Sequence, residues 1–370
     1  MQNKLNSIVK PLLMGPGPSC VSDSVYQALS KPTLGHLDPE FIALMDDIKS
    51  YLRKLIQTEN QLTVPISGTG SAGMETCFVN LVEPEDRVLV LINGVFGVRM
   101  EDVATRLGAE VDSLKFEWGT PVILDSVREQ LAQKKYDLVA VVHAETSTGV
   151  CNPVVEIGKL VKDNRALYLV DCVTSVGGIE VEMDEWQIDA LYSGTQKCLS
   201  CPPGLSPVSF SDRAVGKLTN RKTKVPNWYL DLSMITQYWS GNARVYHHTA
   251  PINMLYGLYQ ACYSILEEGL KNVIQRHKDM HELLVSELKT LGLELFVEES
   301  ARLPMLNAIK IPSGVDDANV RGKLINDYRI ETGGGLGPLA GKIWRIGLMG
   351  ETAKKESIQK LMDAFRKILN

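Results

Sequence analysis

From residue 62 to residue 210 the chain alternates two patterns: short runs of aliphatic and β-branched residues, and longer stretches with helical spacing. The runs are 62–67, 87–92, 138–142, 167–170 and 207–210; the helical stretches are 74–82, 99–107, 123–133 and 155–161, the last preceded by Pro153. Runs that are apolar on both faces belong to strands covered on both sides. Alternation with helices makes the sheet mostly parallel. An α/β fold with such a sheet in a large domain is therefore expected.

The pattern changes after Pro251. A helical stretch over 254–288, broken near Gly269, is followed by candidate strands at 293–297, 308–311 and 343–347 and an amphipathic helix over 355–369. This reads as a smaller C-terminal α+β domain. At the other end, Pro11-Leu-Leu-Met-Gly-Pro-Gly-Pro18 is too rich in Pro and Gly for a regular element and reads as an extended arm. A chain of 370 residues exceeds the usual single-domain size. The expected division is an arm over 1–20, a large domain over 21–268 and a small domain over 269–370.

Composition removes several function classes. The net charge of -5 comes without Lys/Arg blocks, so neither nucleic acid nor an anionic membrane is an expected partner. No apolar run approaches the ~18 residues of a membrane helix. The first ten residues lack a secretion-signal core, and Lys367-Ile-Leu-Asn370 is not a peroxisomal Ser-Lys-Leu address, which leaves the cytoplasm as the expected location. Seven scattered cysteines read as reduced thiols. Cys198 and Cys201 have the spacing of a redox or zinc knuckle, but no second pair accompanies them, and packed thiols are expected. Tyr246-His-His-Thr249 offers two neighbouring histidines that project differently, so no metal is expected.

Three strand ends carry polar groups suited to chemistry. Gly68-Thr-Gly-Ser-Ala-Gly73 follows one run and opens a helix, where backbone amides and the helix dipole converge on an anion such as a phosphate. The same residues satisfy a dinucleotide fingerprint, but Asn93 stands where the acidic ribose partner belongs, which weakens an NAD reading. A turn without ligand is the bland alternative. Asp171 ends the run at 167–170, where parallel sheets present ligand-binding groups, although a lone Asp there is often only a helix cap. Lys197 closes Tyr192-Ser-Gly-Thr-Gln-Lys197 after a short run at 190–193. From there it can reach the same cleft as Asp171, although most lysines are merely solvated surface charges.

Two further positions remain open at this level. Gly333 to Lys342 is glycine-rich, but its spacing and Ile343 do not fit a P-loop. Arg345 lies in the apolar run Ile343-Trp-Arg-Ile-Gly347, where a buried guanidinium needs an anion, either a bound carboxylate or an internal Asp/Glu. Phe96, after the run at 87–92, fits core packing or stacking on a flat ring.

Taken together, these segments resemble the class V, fold-type I aminotransferases of the alanine:glyoxylate and serine:pyruvate group. The resemblance covers Met14 to Pro18, Gly68 to Gly73, His143-Ala-Glu-Thr-Ser-Thr-Gly149, Asp171, Ser193 to Lys197, Pro202 to Gly204, Tyr246 to Thr249 and Gly334 to Gly347. It implies pyridoxal 5'-phosphate as cofactor, held as a Schiff base by Lys197, with Asp171 at the pyridine nitrogen. Val173 and Phe96 would flank the ring. In relatives the residue at Phe96 is often Trp or Tyr. Thr69, Gly70, Ser71 and Gln196 would hold the phosphate, joined by Tyr246 and Thr249 from a second subunit, and Thr146 would lie near the ring hydroxyl. Arg345 would clamp the substrate carboxylate, with Gly17 closing the pocket. The implied assembly is a homodimer with shared sites.

The expected reaction moves an amino group from alanine or serine to glyoxylate or pyruvate. Ureidoglycine:glyoxylate transamination is a close alternative, because Glu117-Trp-Gly-Thr120, Lys197-Cys-Leu-Ser200 and Gly337 to Arg345 look similar to that branch. His36 and Tyr246 stand where that branch uses amide side chains, which speaks against it. 3-Hydroxykynurenine transamination is a third possibility, and an NAD-dependent oxidoreductase is the rival from another class.

Overall fold

The computed structural model describes residues 3–240 and 244–369. Its central sheet has seven strands in the order Leu62–Ser67, Leu205–Phe210, Ala190–Tyr192, Leu167–Asp171, Leu138–Val142, Arg87–Ile92 and Glu110–Lys115. The pairs from Ala190–Tyr192 to Glu110–Lys115 are parallel. Leu205–Phe210 pairs antiparallel to both its neighbours, so Leu62–Ser67 runs in the common direction again. The expected mostly parallel α/β sheet is present.

The inner strands are buried along their lengths, as runs without polar alternation require. Each Val or Leu taken fully out of water there contributes roughly 1.5–3 kcal/mol. Glu110–Lys115 escapes the sequence reading. It is an edge strand, half-buried, with Glu110, Asp112 and Lys115 among its residues.

Several bounds differ from expectation. The helix expected at 74–82 is Gly70–Leu81, and that at 99–107 is Val95–Arg106. Both begin directly after a strand, so the glycine-rich turns contain the helix starts. The long stretch after Pro251 is two helices, Ile252–Glu268 and Leu270–Thr290, separated by Gly269 at φ +89°. Residues 293–297 form no strand; only Leu295 bridges to Ile309.

The core is divided. One large apolar cluster surrounds the central sheet, and a second unites Leu284, Leu288, Trp344, Ile358 and Phe365 with Met14. The helix Leu270–Thr290 runs between them, with Val273 in the first and Leu288 in the second. The expected arm is docked. Leu12–Leu13 pairs in parallel with Ile330–Glu331, and the Gly347 amide donates to the Met14 carbonyl at 2.7 Å.

Candidate active site

Because six strands of the central sheet run one way, Ser67, Ile92, Val142, Asp171 and Tyr192 all end at the same edge. The segments following them converge there, as in other open parallel sheets. A cavity of about 220 Å³ opens among them, lined by Thr69, Gly70, Ser71, Phe96, Asp171, Val173, Gln196 and Lys197. Met74, Arg99 and Tyr192 complete the lining. Larger clefts of about 590 and 550 Å³ lie elsewhere on the surface and contain none of these residues.

One end of the cavity suits an anion. The helix Gly70–Leu81 starts from Thr69 without a side-chain cap, leaving its first amides open. Gly68 has φ +142°, and a Cβ there would lie 2.5 Å from that of Ala72, so only glycine permits the turn. Gln196, in the lining, and Ser193, on the segment that follows Tyr192, each have a buried polar oxygen (Oε1 and Oγ) without a hydrogen-bond partner among the described residues; the Ser193 hydroxyl and the Gln196 amide NH2 are potential donors to an anion.

The other end is acidic. Asp171 is 4% exposed; its Oδ1 accepts from the Val173 amide and its Oδ2 from the Tyr192 hydroxyl, both at 2.8 Å. Burial pushes its carboxyl up to about 6, against the pull of those two donors and of Lys197. Asp189, at the next strand start, is instead tied to Ser211, the Tyr168 amide and Arg213, a structural role.

Lys197 is 8% exposed, and burial lowers its amine to about 8, opposed by Asp171. Its Nζ donates to the Pro16 carbonyl. Gly17 has φ +108°, a conformation L side chains rarely adopt, and a Cβ there would meet that Nζ at 2.5 Å, so glycine suits the arm's crossing of the lysine. Ser19 fixes this crossing, its amide donating to the Gln196 carbonyl at 2.8 Å and its hydroxyl to the Lys197 carbonyl at 2.7 Å.

Arg345 has no internal carboxylate bonded to it among the described residues. It is 6% exposed and forms no ion pair among the described residues; Nε donates to the Gly334 carbonyl at 2.7 Å and Nη1 to the Thr146 carbonyl at 3.1 Å. Two carbonyls orient the guanidinium without neutralising it, and burial lowers its pKa to about 10, opposed by the charge of Glu145. Gly333–Gly334 pairs with the strand of Arg345, and Gly337–Leu339 is a short 3-10 turn, so the glycine-rich segment begins as β structure.

Thr146 is buried beside the site and contributes its carbonyl to Arg345. Tyr246 and Thr249 are not in the cavity lining. They are exposed, their hydroxyls 3.1 Å apart, and the Tyr246 ring lies 5.0 Å from that of His36.

The sequence reading misses Arg99, Tyr192 and Glu145. Arg99 stands over the Phe96 ring at 4.9 Å. Tyr192 has only the appearance of a strand residue, and Glu145 is one polar residue in a polar turn. Asn93 forms a reciprocal pair with Asn152 and bonds the Thr120 carbonyl, a bracket between loops that occupies both its amide hydrogens. Cys198 and Cys201 are free, buried thiols, both raised to about 12 by burial.

Comparisons with known proteins agree with this geometry. The family profile described as aminotransferase class-V matches residues 22–337. The (S)-ureidoglycine–glyoxylate transaminase of Bacillus subtilis is 38% identical over 96% of this chain and 90% of its own length. The alanine–glyoxylate aminotransferase of Drosophila melanogaster is 41% identical over 95% and 90%, respectively. The crystal structure of an alanine–glyoxylate aminotransferase from Nostoc sp. superposes with a TM-score of 0.96 at 47% identity, covering 100% of both chains. Pyridoxal phosphate is the cofactor this membership implies, and the cavity fits it, with an anion-binding helix start, orphaned polar atoms, a buried carboxylate and a lysine of lowered pKa. With sequence, fold and cavity in accord, the chain belongs to the class V aminotransferases.

Proposed function

We propose that this enzyme moves an amino group from alanine, or serine, to glyoxylate or pyruvate. The observation carrying the substrate class is Arg345, a buried guanidinium oriented by two carbonyls and lacking an ion-pair partner among the described residues. An α-carboxylate is the natural counter-ion. The relatives named for alanine and glyoxylate support the donor and acceptor.

When bound, pyridoxal phosphate supplies an electron sink that makes the substrate α-proton removable. The residues then divide the work. Thr69, Gly70, Ser71 and Gln196 would hold the phosphate, and Phe96 and Val173 would flank the ring. Thr146 would border it. Asp171 would face the ring nitrogen. Lys197 would hold the cofactor, and its Nζ, with its lowered pKa, could accept and return the substrate α-proton. Arg345 fixes the carboxylate, and the backbone around Gly17 excludes water.

The assembly in this reading is a homodimer with shared sites. Exposed Tyr246 and Thr249 would complete the partner's phosphate site, and exposed Leu5, Ile8, Val9 and Trp228 offer apolar surface for contact. The division proposed is an arm over 1–20, a large domain over 21–268 and a small domain over 269–370; the two largest apolar clusters support a large and a small unit, with Met14 of the arm packed in the second and Val273 in the first. No helix among the described residues is long and apolar enough to cross a membrane. The unpaired state of all seven cysteines supports a cytoplasmic location.

Ureidoglycine is the second reading, favoured by the Bacillus relative. Against it, Trp118 and Leu339 from the resembling segments meet in an apolar cluster, and neither lines the cavity. A kinetic panel of alanine, serine, ureidoglycine and 3-hydroxykynurenine against glyoxylate decides the matter. Efficient turnover of alanine or serine is expected; poor turnover of both overturns the substrate assignment while leaving the family intact.

A further inference from the structure

The turn after Val142 serves two parts of the site at once. The helix Val95–Arg106 begins after Gly94, which has no side chain to cap it, so its first amides need acceptors from elsewhere. Ser147 Oγ accepts from the Val95 amide at 3.0 Å, and Glu145 Oε2 accepts from the Phe96 amide at 3.2 Å. Glu145 is fully buried, and its Oε1 accepts from the Ser147 amide at 3.0 Å and the Ser147 hydroxyl at 2.5 Å. All its partners are donors, the arrangement that suits a carboxylate at a helix start, and they oppose the burial that pushes its carboxyl up to about 7.

The backbone is shaped around this contact. A Cβ at Gly94 would run into the Glu145 carboxyl and lie 2.6 Å from Ser147 Oγ. Thr146, between the two capping residues, gives its carbonyl to Arg345, and the Glu145 charge opposes the loss of charge that burial imposes on that guanidinium. One tripeptide thus holds the helix carrying Phe96 and one of the two carbonyls seating Arg345.

We propose that Glu145 is a positioning residue that keeps the aromatic wall of the cofactor cavity and the carboxylate clamp in a single register. The inference rests on the roles assigned above to Phe96 and Arg345. Displacement of Glu145 would move both subsites together, although neither Phe96 nor Arg345 bonds the other.

The test uses the holoenzyme and two readouts: the rate of cofactor loss on dialysis, followed by visible absorbance, and KM for L-alanine at saturating glyoxylate. Glu145→Gln sets an amide NH2 against a donor, so at least one contact breaks. Both readouts are expected to rise, each by about tenfold, the scale of a lost hydrogen bond to a charged group. Assayed at about pH 8.5, above the raised pKa of about 7 of Glu145, the substitution removes a negative charge near Arg345, which would by itself tighten carboxylate binding, so a rise in KM reads position rather than charge. Ser147→Ala deletes only the hydroxyl and should move both readouts in the same directions by less; it decides the matter if Glu145→Gln does not fold. A change confined to one readout, or absent from both, overturns the proposal. Phe96→Ala should raise cofactor loss alone, and Arg345→Lys should raise KM alone. Failure of either control overturns the underlying site assignment instead.

Discussion

The hydroxyl of Tyr192 donates to the Asp171 carboxylate at 2.8 Å, joining the ends of two adjacent parallel strands at the floor of the cavity. Buried Asp171 has this hydroxyl and the Val173 amide as its only hydrogen-bond donors among the described residues. Tyr192→Phe removes one of them and raises the carboxyl further. Cofactor affinity should fall by about tenfold, as expected for losing a hydrogen bond to an ionised group. Equilibrium dialysis of pyridoxal phosphate against wild type and variant checks this, and equal affinities would contradict it.

Asp171 also predicts a pH dependence. Folding raises its pKa from 3.8 to about 6, so the native state holds a proton over that window that the unfolded chain releases. The stability contributed by this carboxyl is full below about pH 4 and is lost as pH rises through 6. In cofactor-free protein, the stability of wild type minus that of Asp171→Asn should fall by about 3 kcal/mol across the window and stay flat above it. Urea titrations at several pH values measure the difference; an increase with pH would refute the assignment.

Lys197 is lowered to about 8 by burial, so roughly a tenth of its amine is in the neutral, nucleophilic form at about pH 7, far more than for a free lysine. Capture of pyridoxal phosphate by cofactor-free protein should accelerate with pH and level off above about 8. Lys197→Ala should lack both turnover and a borohydride-sensitive visible band. A variant that kept either would remove Lys197 from the chemistry.

At Arg345 the expected defect lies in binding. Lys has one point charge where Arg offers a planar fork, so Arg345→Lys cannot satisfy the Gly334 and Thr146 carbonyls and a carboxylate together. KM for alanine should rise by roughly 10- to 100-fold, the effect of losing one or two charge-assisted bonds, with kcat affected less. A selective loss of kcat would place the residue elsewhere in the mechanism.

If sites are shared, two inactive proteins can repair each other. Lys197→Ala supplies intact Tyr246 and Thr249, and a Tyr246→Ala/Thr249→Ala protein supplies an intact lysine. Mixed dimers should regain activity that neither parent has. Mixing under conditions of subunit exchange, followed by an activity assay, tests this, and absence of recovery after confirmed exchange would disprove sharing.

The central strands were legible because residues such as Val139 and Leu169 face apolar surroundings on both sides, which prints an uninterrupted apolar run. Glu110–Lys115 was not, because an edge strand is half solvated and carries mixed residues. Gly68 to Gly73, Asp171 and Lys197 stood out as polar or glycine-rich ends of apolar runs. Phe96, Arg345 and Thr146 drew their meaning from the family resemblance, since aromatic and cationic residues in apolar strings have several uses. Tyr192, Arg99 and Glu145 left no local signal. Their importance depends on partners far along the chain, as Glu145 and Phe96 show with 49 positions between them.

By itself, the sequence determined the strands, most helices, and the glycine-rich turn and lysine proposed above as phosphate holder and reactive amine, because periodicity and strand-end chemistry act over a few neighbouring residues. The tertiary structure decided the strand order, the passage of Gly17 over Lys197, the absence of an ion-pair partner for Arg345 among the described residues and the dual anchorage of Glu145. These depend on contacts between distant segments, whose hydrogen-bond geometry and desolvation exist only after the chain has packed.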